Sequence, residues 1–201
     1  MANRDVSAGE GVLDAAILVE SVLKAKKGDQ ASFQRLYETF ARKVLNFIYR
    51  MVNSVEEAED LTQETFVTVY QKLQSLKDET KFEPWLFRIA RNYVYQRYRS
   101  RPPASFSIDE IDEEGHAITE LADDRKTPDE AFASKELESV VQDVVKELPE
   151  KYREVFVLSA LQHMKYQDIA EIVGRSLPSV KTDIHRARLF VRQRVKDYLK
   201  V

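Results

Sequence analysis

Apolar residues recur at helical spacing along almost the whole chain, and no stretch alternates polar and apolar residues as a half-buried strand does. Only 5 glycines and 6 prolines occur among the 201 residues, whereas the many turns of an all-β fold require more turn-forming residues than that. Apolar residues make up 43% of the sequence, which is enough to build a core. The pattern therefore predicts an all-α fold.

A break in this periodicity divides the predicted helices into two domains. Residues 1–11 are predicted to be a loose N-terminus, and residues 12–101 hold a first group of helices. Residues 102–128 are acidic and aperiodic, and they are too long for a connection inside a compact domain, so they are predicted to be a flexible linker. Residues 129–201 are predicted to be a second small domain. The helices are predicted near 12–27, 31–52, 55–76, 84–100, 129–147, 149–163, 166–173 and 177–199.

The charges of the chain are strongly segregated, although the formal net charge is only −3. The stretch Trp85 to Arg101 carries five arginines and no acidic residue. The stretch Pro102 to Ser134 carries ten acidic residues against two basic ones, and Gly174 to Lys196 carries seven basic residues against one acidic one. Two basic blocks that flank an acidic block indicate a nucleic-acid contact that the near-neutral total conceals.

The second basic block has the layout of a helix-turn-helix. Gly174 can adopt positive φ at the turn, Ser176 can cap the following helix, and Pro178 fits its first turn. Four apolar residues of that helix share one face, and four basic residues share the neighbouring face: Val180, Ile184, Ala187 and Val191, then Lys181, His185, Arg188 and Arg192. A helix of this kind enters a major groove, with Ser179, Lys181 and Thr182 at base edges and His185, Arg186 and Arg188 at bases or phosphates. The alternative is a solvated basic face on an ordinary helical hairpin.

The first basic block alternates arginines with aromatic residues. Arg88, Asn92, Tyr95 and Arg99 recur at helical spacing and so share a face. Unpaired bases stack on aromatic rings while arginines neutralise phosphates, so this helix suits single-stranded DNA. The alternative is that its apolar residues, among them Trp85, only fill a core.

A third surface is polar without being basic. Asp60, Gln63, Glu64, Val67 and Gln71 are predicted to lie on one side of the third helix, with no histidine near enough in sequence to suggest a metal site. This side is either a solvated face or a docking face for a basic protein.

Several classes of protein are disfavoured by the same sequence. The chain has no cysteine, which removes disulfides, thiolate metal sites and cysteine nucleophiles and fits a reducing compartment. The glycines form no phosphate-binding loop, and no serine lies in a nucleophile-elbow pattern. No apolar run is long enough for a signal core or a membrane span. We therefore expect a cytoplasmic protein that is not an enzyme, has no cofactor, metal site or small-molecule substrate, and does not insert into a membrane.

Five segments in this order resemble the extracytoplasmic-function (ECF) group of sigma-70 RNA polymerase sigma factors, and the resemblance covers the chain from about Val12 to Leu199. The matching segments are Gly28 to Phe33 with Leu36-Tyr37, Asp60-Leu-Thr-Gln-Glu-Thr-Phe66, Phe82 to Asn92, Leu148 to Arg153, and Ile169-Ala170 with Ser179 to Arg188. The resemblance implies a sigma region 2-like first domain and a region 4-like second domain.

The resemblance also implies a role for each surface. Core RNA polymerase would contact Asp60, Gln63, Glu64 and Phe66. The promoter −10 element would be melted and bound by Trp85, Arg88, Arg91, Asn92, Tyr95 and Arg99, with a flipped base held by the loop 74–81. The −35 element would be bound as duplex DNA by Ser179, Lys181, Thr182, His185, Arg186 and Arg188. The acidic linker would thread the RNA channel of the polymerase, and an anti-sigma factor would control the protein.

Three residues depart from the usual pattern of this family. Gln96 stands where an aspartate is common, Pro178 replaces a small glycine, and Asp183 stands where a basic residue is common. Asp183 is therefore expected to place a negative charge near the phosphates of the −35 element. Two alternative functions remain open from the residues alone: a stand-alone helix-turn-helix regulator, and a helical docking protein that imitates a sigma factor without using DNA.

Overall fold

The computed structural model describes residues 6–100 and 140–199, and within these ranges it consists of helices and short connections with no β-strand. This confirms the predicted all-α fold. The predicted linker 102–128 and the greater part of the predicted helix 129–147 lie outside the described residues. Within the described ranges, none of the helices combines the length and the apolar character that crossing a membrane would require.

The first domain contains four helices: α1 (Val6–Lys26), α2 (Gln30–Val52), α3 (Val55–Lys72) and α4 (Phe82–Ser100). The Asp29 side chain caps α2 by accepting a bond from the Ser32 N–H, and Ser54 caps α3 by accepting one from the Glu57 N–H. Local capping chemistry of this kind makes both helix starts readable from sequence.

The predicted loose N-terminus is wrong for residues 6–11, because α1 begins at Val6. Gly9 and Gly11 weaken the helix signal there, since glycine is a poor helix former. The helix hydrogen bonding nevertheless continues through them.

Residues 73–81 form a loop with two short 3₁₀ turns, Leu73–Ser75 and Glu79–Lys81. The third helix was predicted to reach about Leu76, but α3 ends at Lys72. Leu73 and Leu76 are both buried, so this loop still contributes two leucines to the core. This loop lies between the predicted polymerase-binding helix and the predicted −10 helix.

An aromatic core joins α2 to α4. Phe47, Phe82 and Phe87 are fully buried, and edge-to-face pairs link Phe47 with Phe87 and Phe40 with Phe82 at centroid distances of 5.6 and 5.4 Å. Tyr70 of α3, although aromatic, does not join this core: it is 61% exposed and packs edge-to-face on Phe33. The buried face of α3 therefore runs through Ala58, Leu61, Phe66 and Val69.

The second domain contains helical residues 140–147 (α5), α6 (Glu150–Phe156) with a wider π turn (Val157–Leu161), α7 (Tyr166–Val173) and α8 (Leu177–Leu199). Gly174 ends α7 with φ +67°, the left-handed conformation that its position at the turn requires. The predicted bounds of α7 and α8 are confirmed. In the described structure α7 packs against α4, and the buried apolar residues of the two domains form one continuous cluster.

Candidate functional site

Helix α8 turns its apolar face inward and its basic face outward, as predicted. Val180, Ile184, Ala187 and Val191 are all buried. Lys181, Thr182 and His185 are exposed, and the half-buried residues at the margin of this face are Ser179, Arg186 and Arg188. The Ser179 N–H lies 3.4 Å from the Ser176 hydroxyl, which is the predicted cap of the helix. The first turns of α8 are thus available to a groove.

Asp183 does not lie on this outward face, so the expectation of a negative charge near DNA phosphates is wrong. Its side chain is only 3% exposed and bonds to the Arg175 guanidinium, with Lys151 Nζ at 3.2 Å. The reason is helical geometry, because residue 183 is three positions after Val180 and four before Ala187 and so belongs to the buried face.

Arg175 joins two buried carboxylates. Besides Asp183 it donates to Glu154 Oε1 at 2.8 Å, and the Glu154 side chain is 2% exposed. Glu154 is bound on its other oxygen by Arg91 Nε of α4, also at 2.8 Å. A network of charged side chains therefore runs from α8, through the turn that precedes it, to the Arg-aromatic helix α4 of the first domain.

The Arg-aromatic face of α4 is divided between solvent and the second domain. Arg88, Asn92 and Arg99 are exposed, whereas Arg91, Tyr95 and Trp85 are half-buried. The Arg91 guanidinium lies over the Tyr95 ring, 4.3 Å from its centroid, and burial together with the Glu154 charge raises the pKa of the Tyr95 phenol. Arg91 and Tyr95, both predicted to contact DNA, are here engaged by protein.

A cleft of about 330 Å³ lies between the loop 73–81 and the start of α4. Its lining combines the Trp85 ring, three cationic side chains and two carboxylates. These residues are Lys77, Lys81 and Arg88, with Asp78 from the loop and Glu171 from α7. The sequence predicted the loop as a whole but not its individual cations. An aromatic wall with cations around it can hold a stacked base and its phosphate.

The end of α1 holds this loop in place. Lys26 Nζ donates to the Leu76 carbonyl and to Glu79 Oε1, both at 2.7 Å, and Gln74 donates in return to the Lys26 carbonyl. The bond from the Lys26 ammonium lowers the pKa of the Glu79 carboxyl. Sequence reasoning missed Lys26, because its partners lie about fifty positions along the chain.

The polar face of α3 is exposed. Asp60, Gln63, Glu64 and Val67 all face solvent, as predicted. Phe66, predicted to touch the polymerase, is only 5% exposed and packs edge-to-face against Tyr37. The exposed Tyr70, seven positions after Gln63 and therefore on the same side, extends this face with an aromatic ring.

Comparison with known families matches both domains. Residues 36–102 match the family described as Sigma-70 region 2, and residues 139–191 match Sigma-70, region 4. The chain is 33% identical to the ECF RNA polymerase sigma factor SigW of Bacillus subtilis, over 90% of this chain and 98% of that protein. It is 32% identical to the ECF RNA polymerase sigma-E factor of Escherichia coli K12, over 92% of this chain and 95% of that protein.

Two solved structures share the fold at 22% identity. The structure of CnrH in complex with the cytosolic domain of CnrY aligns with a TM-score of 0.66, over 90% of this chain and 98% of that one. The structure of RpoE from Bartonella quintana with the anti-sigma factor NepR aligns with a TM-score of 0.60, over 82% of this chain and 96% of that one.

Proposed function

The chain belongs to the extracytoplasmic-function group of sigma-70 RNA polymerase sigma factors, and on that premise we propose which of its surfaces bind the polymerase and which bind the promoter. Sigma factors are transcription initiation factors, and this chain acts without catalytic chemistry of its own. The observation that carries the proposal is the division of exposed side chains into three surfaces, which are acidic and amide-rich on α3 and cationic on α4 and α8. Its place of action is the bacterial cytoplasm, where the polymerase is.

The exposed face of α3 is the docking surface for core polymerase. Asp60, Gln63 and Glu64 offer charge and hydrogen-bond acceptors, while Val67 and Tyr70 add apolar area. Such a mixture of aromatic, apolar and polar groups is typical of a protein interface. Phe66 supports the surface from beneath by packing against Tyr37, and it does not need to touch the polymerase itself.

The −10 element binds α4 and the cleft beside it. Arg88, Asn92 and Arg99 face solvent along one side of the helix, and they can follow the backbone of a melted strand together with Arg91, Tyr95 and Trp85. A base flipped out of the duplex enters the cleft of about 330 Å³. Unstacking a base costs a few kcal/mol, which contacts to Trp85 and the surrounding cations offset.

The −35 element binds α8 as duplex DNA. Ser179, Lys181 and Thr182 lie in the first turns of the helix, which is the part that reaches base edges in a major groove. His185, Arg186 and Arg188 follow at the spacing that suits phosphates and outer bases. The second domain thus positions the polymerase upstream of the melted region.

An anti-sigma protein controls the free factor by covering its docking surface. CnrH and RpoE, which share the fold, were solved with CnrY and with an anti-sigma factor, and we extend that arrangement to this chain. The acidic linker 102–128 enters the RNA channel of the polymerase, where its charge imitates nucleic acid.

Titration of labelled full-length protein against bacterial core RNA polymerase tests the proposal. The variant Glu64→Lys reverses a charge on the docking surface, and we expect core affinity to fall by about tenfold or more. Glu20→Lys is the matched control, because Glu20 is also an exposed carboxylate but lies on α1, outside the docking surface. Equal affinities for the two variants would show that α3 docks through another face.

A further inference from the structure

The −10 surface of the first domain is occupied by acidic side chains of the second domain. Lys81 Nζ, at the cleft, bonds to Asp168 Oδ1 at 2.8 Å and to Glu171 Oε1 at 3.0 Å. Arg91 of α4 bonds to Glu154 at 2.8 Å. Each of these carboxylates is held at the distance and with the donor geometry that a DNA phosphate would have.

The second domain also contributes a side chain to the cleft itself. Glu171 of α7 forms part of the cleft wall together with Lys81, Trp85 and Arg88. The two carboxylates raise the pKa of Lys81 to about 12, Asp168 having the larger effect, so this lysine stays charged in the closed arrangement. A phosphate that bonded to Lys81 Nζ would compete with both carboxylates for the same ammonium group.

A further contact ties the domains together away from the cleft. Arg153 donates to the Met51 carbonyl at 3.1 Å, while it also holds the Leu148 carbonyl of its own domain. The contact therefore combines ion pairs at the DNA-binding groups with hydrogen bonds and apolar packing elsewhere.

From this arrangement we infer that the acidic surface formed by Glu154, Asp168 and Glu171 is a docking site for the first domain of the same chain, and that it competes with the −10 strand for Lys81 and Arg91. The inference rests on the proposed −10 role of α4 and the cleft. The free factor is then closed over its own −10 surface, and strand binding requires the domains to separate.

The −35 surface provides an internal control within the same chain. Lys181, Thr182 and His185 on α8 are exposed in the closed arrangement. Competition should therefore affect binding of single strands and leave duplex binding by α8 unchanged. A general change in electrostatic attraction would alter both.

The test uses the full-length double variant Asp168→Asn/Glu171→Gln and a short, mixed-sequence, single-stranded DNA oligonucleotide. If only open molecules bind the strand, the apparent affinity equals the affinity of the open form multiplied by the fraction of molecules that are open. Weakening the closed state therefore raises the apparent affinity. Both carboxylates bind one partly exposed lysine, so we expect the strand affinity to rise about 2- to 10-fold. Removing two acidic groups also strengthens DNA binding non-specifically. A control variant that loses two acidic groups elsewhere measures this non-specific gain.

The matched control is Asp143→Asn/Glu147→Gln, which removes the same charges from partly exposed positions that pair with Lys146 and Arg194 inside the second domain. The inference is overturned if the two double variants bind the strand equally, or if the interface variant gains as much affinity for a mixed-sequence duplex. These outcomes are independent of core-polymerase binding by α3, so a failure here is distinguishable from a failure of the proposed function.

Separation of the domains can be measured directly. Because the chain has no cysteine, two can be introduced for fluorescent labels, at the exposed residues Asn46 in α2 and Gln193 in α8. Saturating single-stranded DNA should lower the energy transfer between the labels. Unchanged transfer at saturation would show that the strand binds without opening the protein.

Discussion

Arg175 offers the sharpest test of the charge network that supports α8. It donates to Glu154 and to Asp183, whose side chains are 2% and 3% exposed. The change Arg175→Met keeps much of the aliphatic length and removes the positive charge. Two buried carboxylates then lose a shared partner, and the turn before α8 loses its bonds to both.

The loss of unfolding free energy depends on which cations the two carboxylates keep after Arg175 is removed. Removing one partner of a buried ion pair costs about 3–5 kcal/mol, because it leaves a buried charge uncompensated. Here each carboxylate keeps one cation: Glu154 keeps Arg91 at 2.8 Å, and Asp183 keeps the half-exposed Lys151 at 3.2 Å. We therefore expect the lower end, a loss of about 3 kcal/mol in the unfolding free energy of the second domain.

Hydrogen exchange with mass spectrometry measures this loss in the intact chain, because it reports the opening free energy of each segment. A loss of about 3 kcal/mol lowers amide protection in α7 and α8 roughly 150-fold, since 1.4 kcal/mol is a factor of ten. The control Arg192→Met changes an exposed arginine of α8 and should shift stability by less than about 0.5 kcal/mol. A fall in protection of less than about 5-fold for Arg175→Met would refute the reasoning, since the remaining cations would then suffice.

Three further predictions concern the proposed DNA-binding surfaces and the pH dependence of folding. Arg188→Ala should weaken −35 duplex recognition by about 1–3 kcal/mol if Arg188 binds a base edge, and should only reduce the salt dependence of binding if it binds a phosphate. Binding titrations at several salt concentrations distinguish the base contact from the phosphate contact. If neither the affinity nor its salt dependence changes, Arg188 makes neither contact. Lys26→Met removes the bonds to Leu76 and Glu79 that hold the cleft loop. Transcription from promoters substituted at each −10 position in turn should then discriminate less between bases at one position. The control Lys24→Met changes an exposed neighbouring lysine and should leave this base discrimination intact. The pKa of the Tyr95 phenol is raised, so the folded chain keeps this proton at a pH at which the unfolded chain has released it, and folding stability should fall as the pH rises above about 10. Urea unfolding at several pH values should show a smaller fall in stability for Tyr95→Phe. An equal fall would show that other groups cause the loss of stability at alkaline pH.

The features that sequence predicted well are those fixed by near neighbours in the chain. Caps at Asp29 and Ser54 depend on N–H groups three residues further on, and the buried face of α8 depends on spacing alone. Gly174 adopts the left-handed conformation at the turn that its position in the helix-turn-helix predicted. Hydrophobic periodicity and turn chemistry are sufficient for these features because every partner lies within one or two helical turns.

The features that sequence could not predict depend on partners distant in the chain. The family resemblance assigns Arg91 to DNA, yet the Glu154 carboxylate, which like a phosphate is an anionic acceptor, binds it from 63 positions away. Lys26 and the cleft loop are separated by about fifty positions in the same way. Tyr70 is a large aromatic residue of the kind that often lies in a core, but it faces solvent because the buried side of α3 runs through Phe66 and Val69. Residue chemistry indicates what a group can bind, whereas the fold decides which partner reaches it.

The departures from the usual sigma pattern take on a different meaning in the structure. Pro178 lies exposed in the first turn of α8, where the N–H that it lacks has no partner within the helix. Asp183 lies on the buried face, where Arg175 and Lys151 neutralise it. Its charge is therefore directed into the protein and away from a bound groove. Since Lys181 and His185 remain exposed, α8 keeps the cationic face that a −35 duplex requires, and the aspartate strengthens the anchoring of the helix without opposing the DNA.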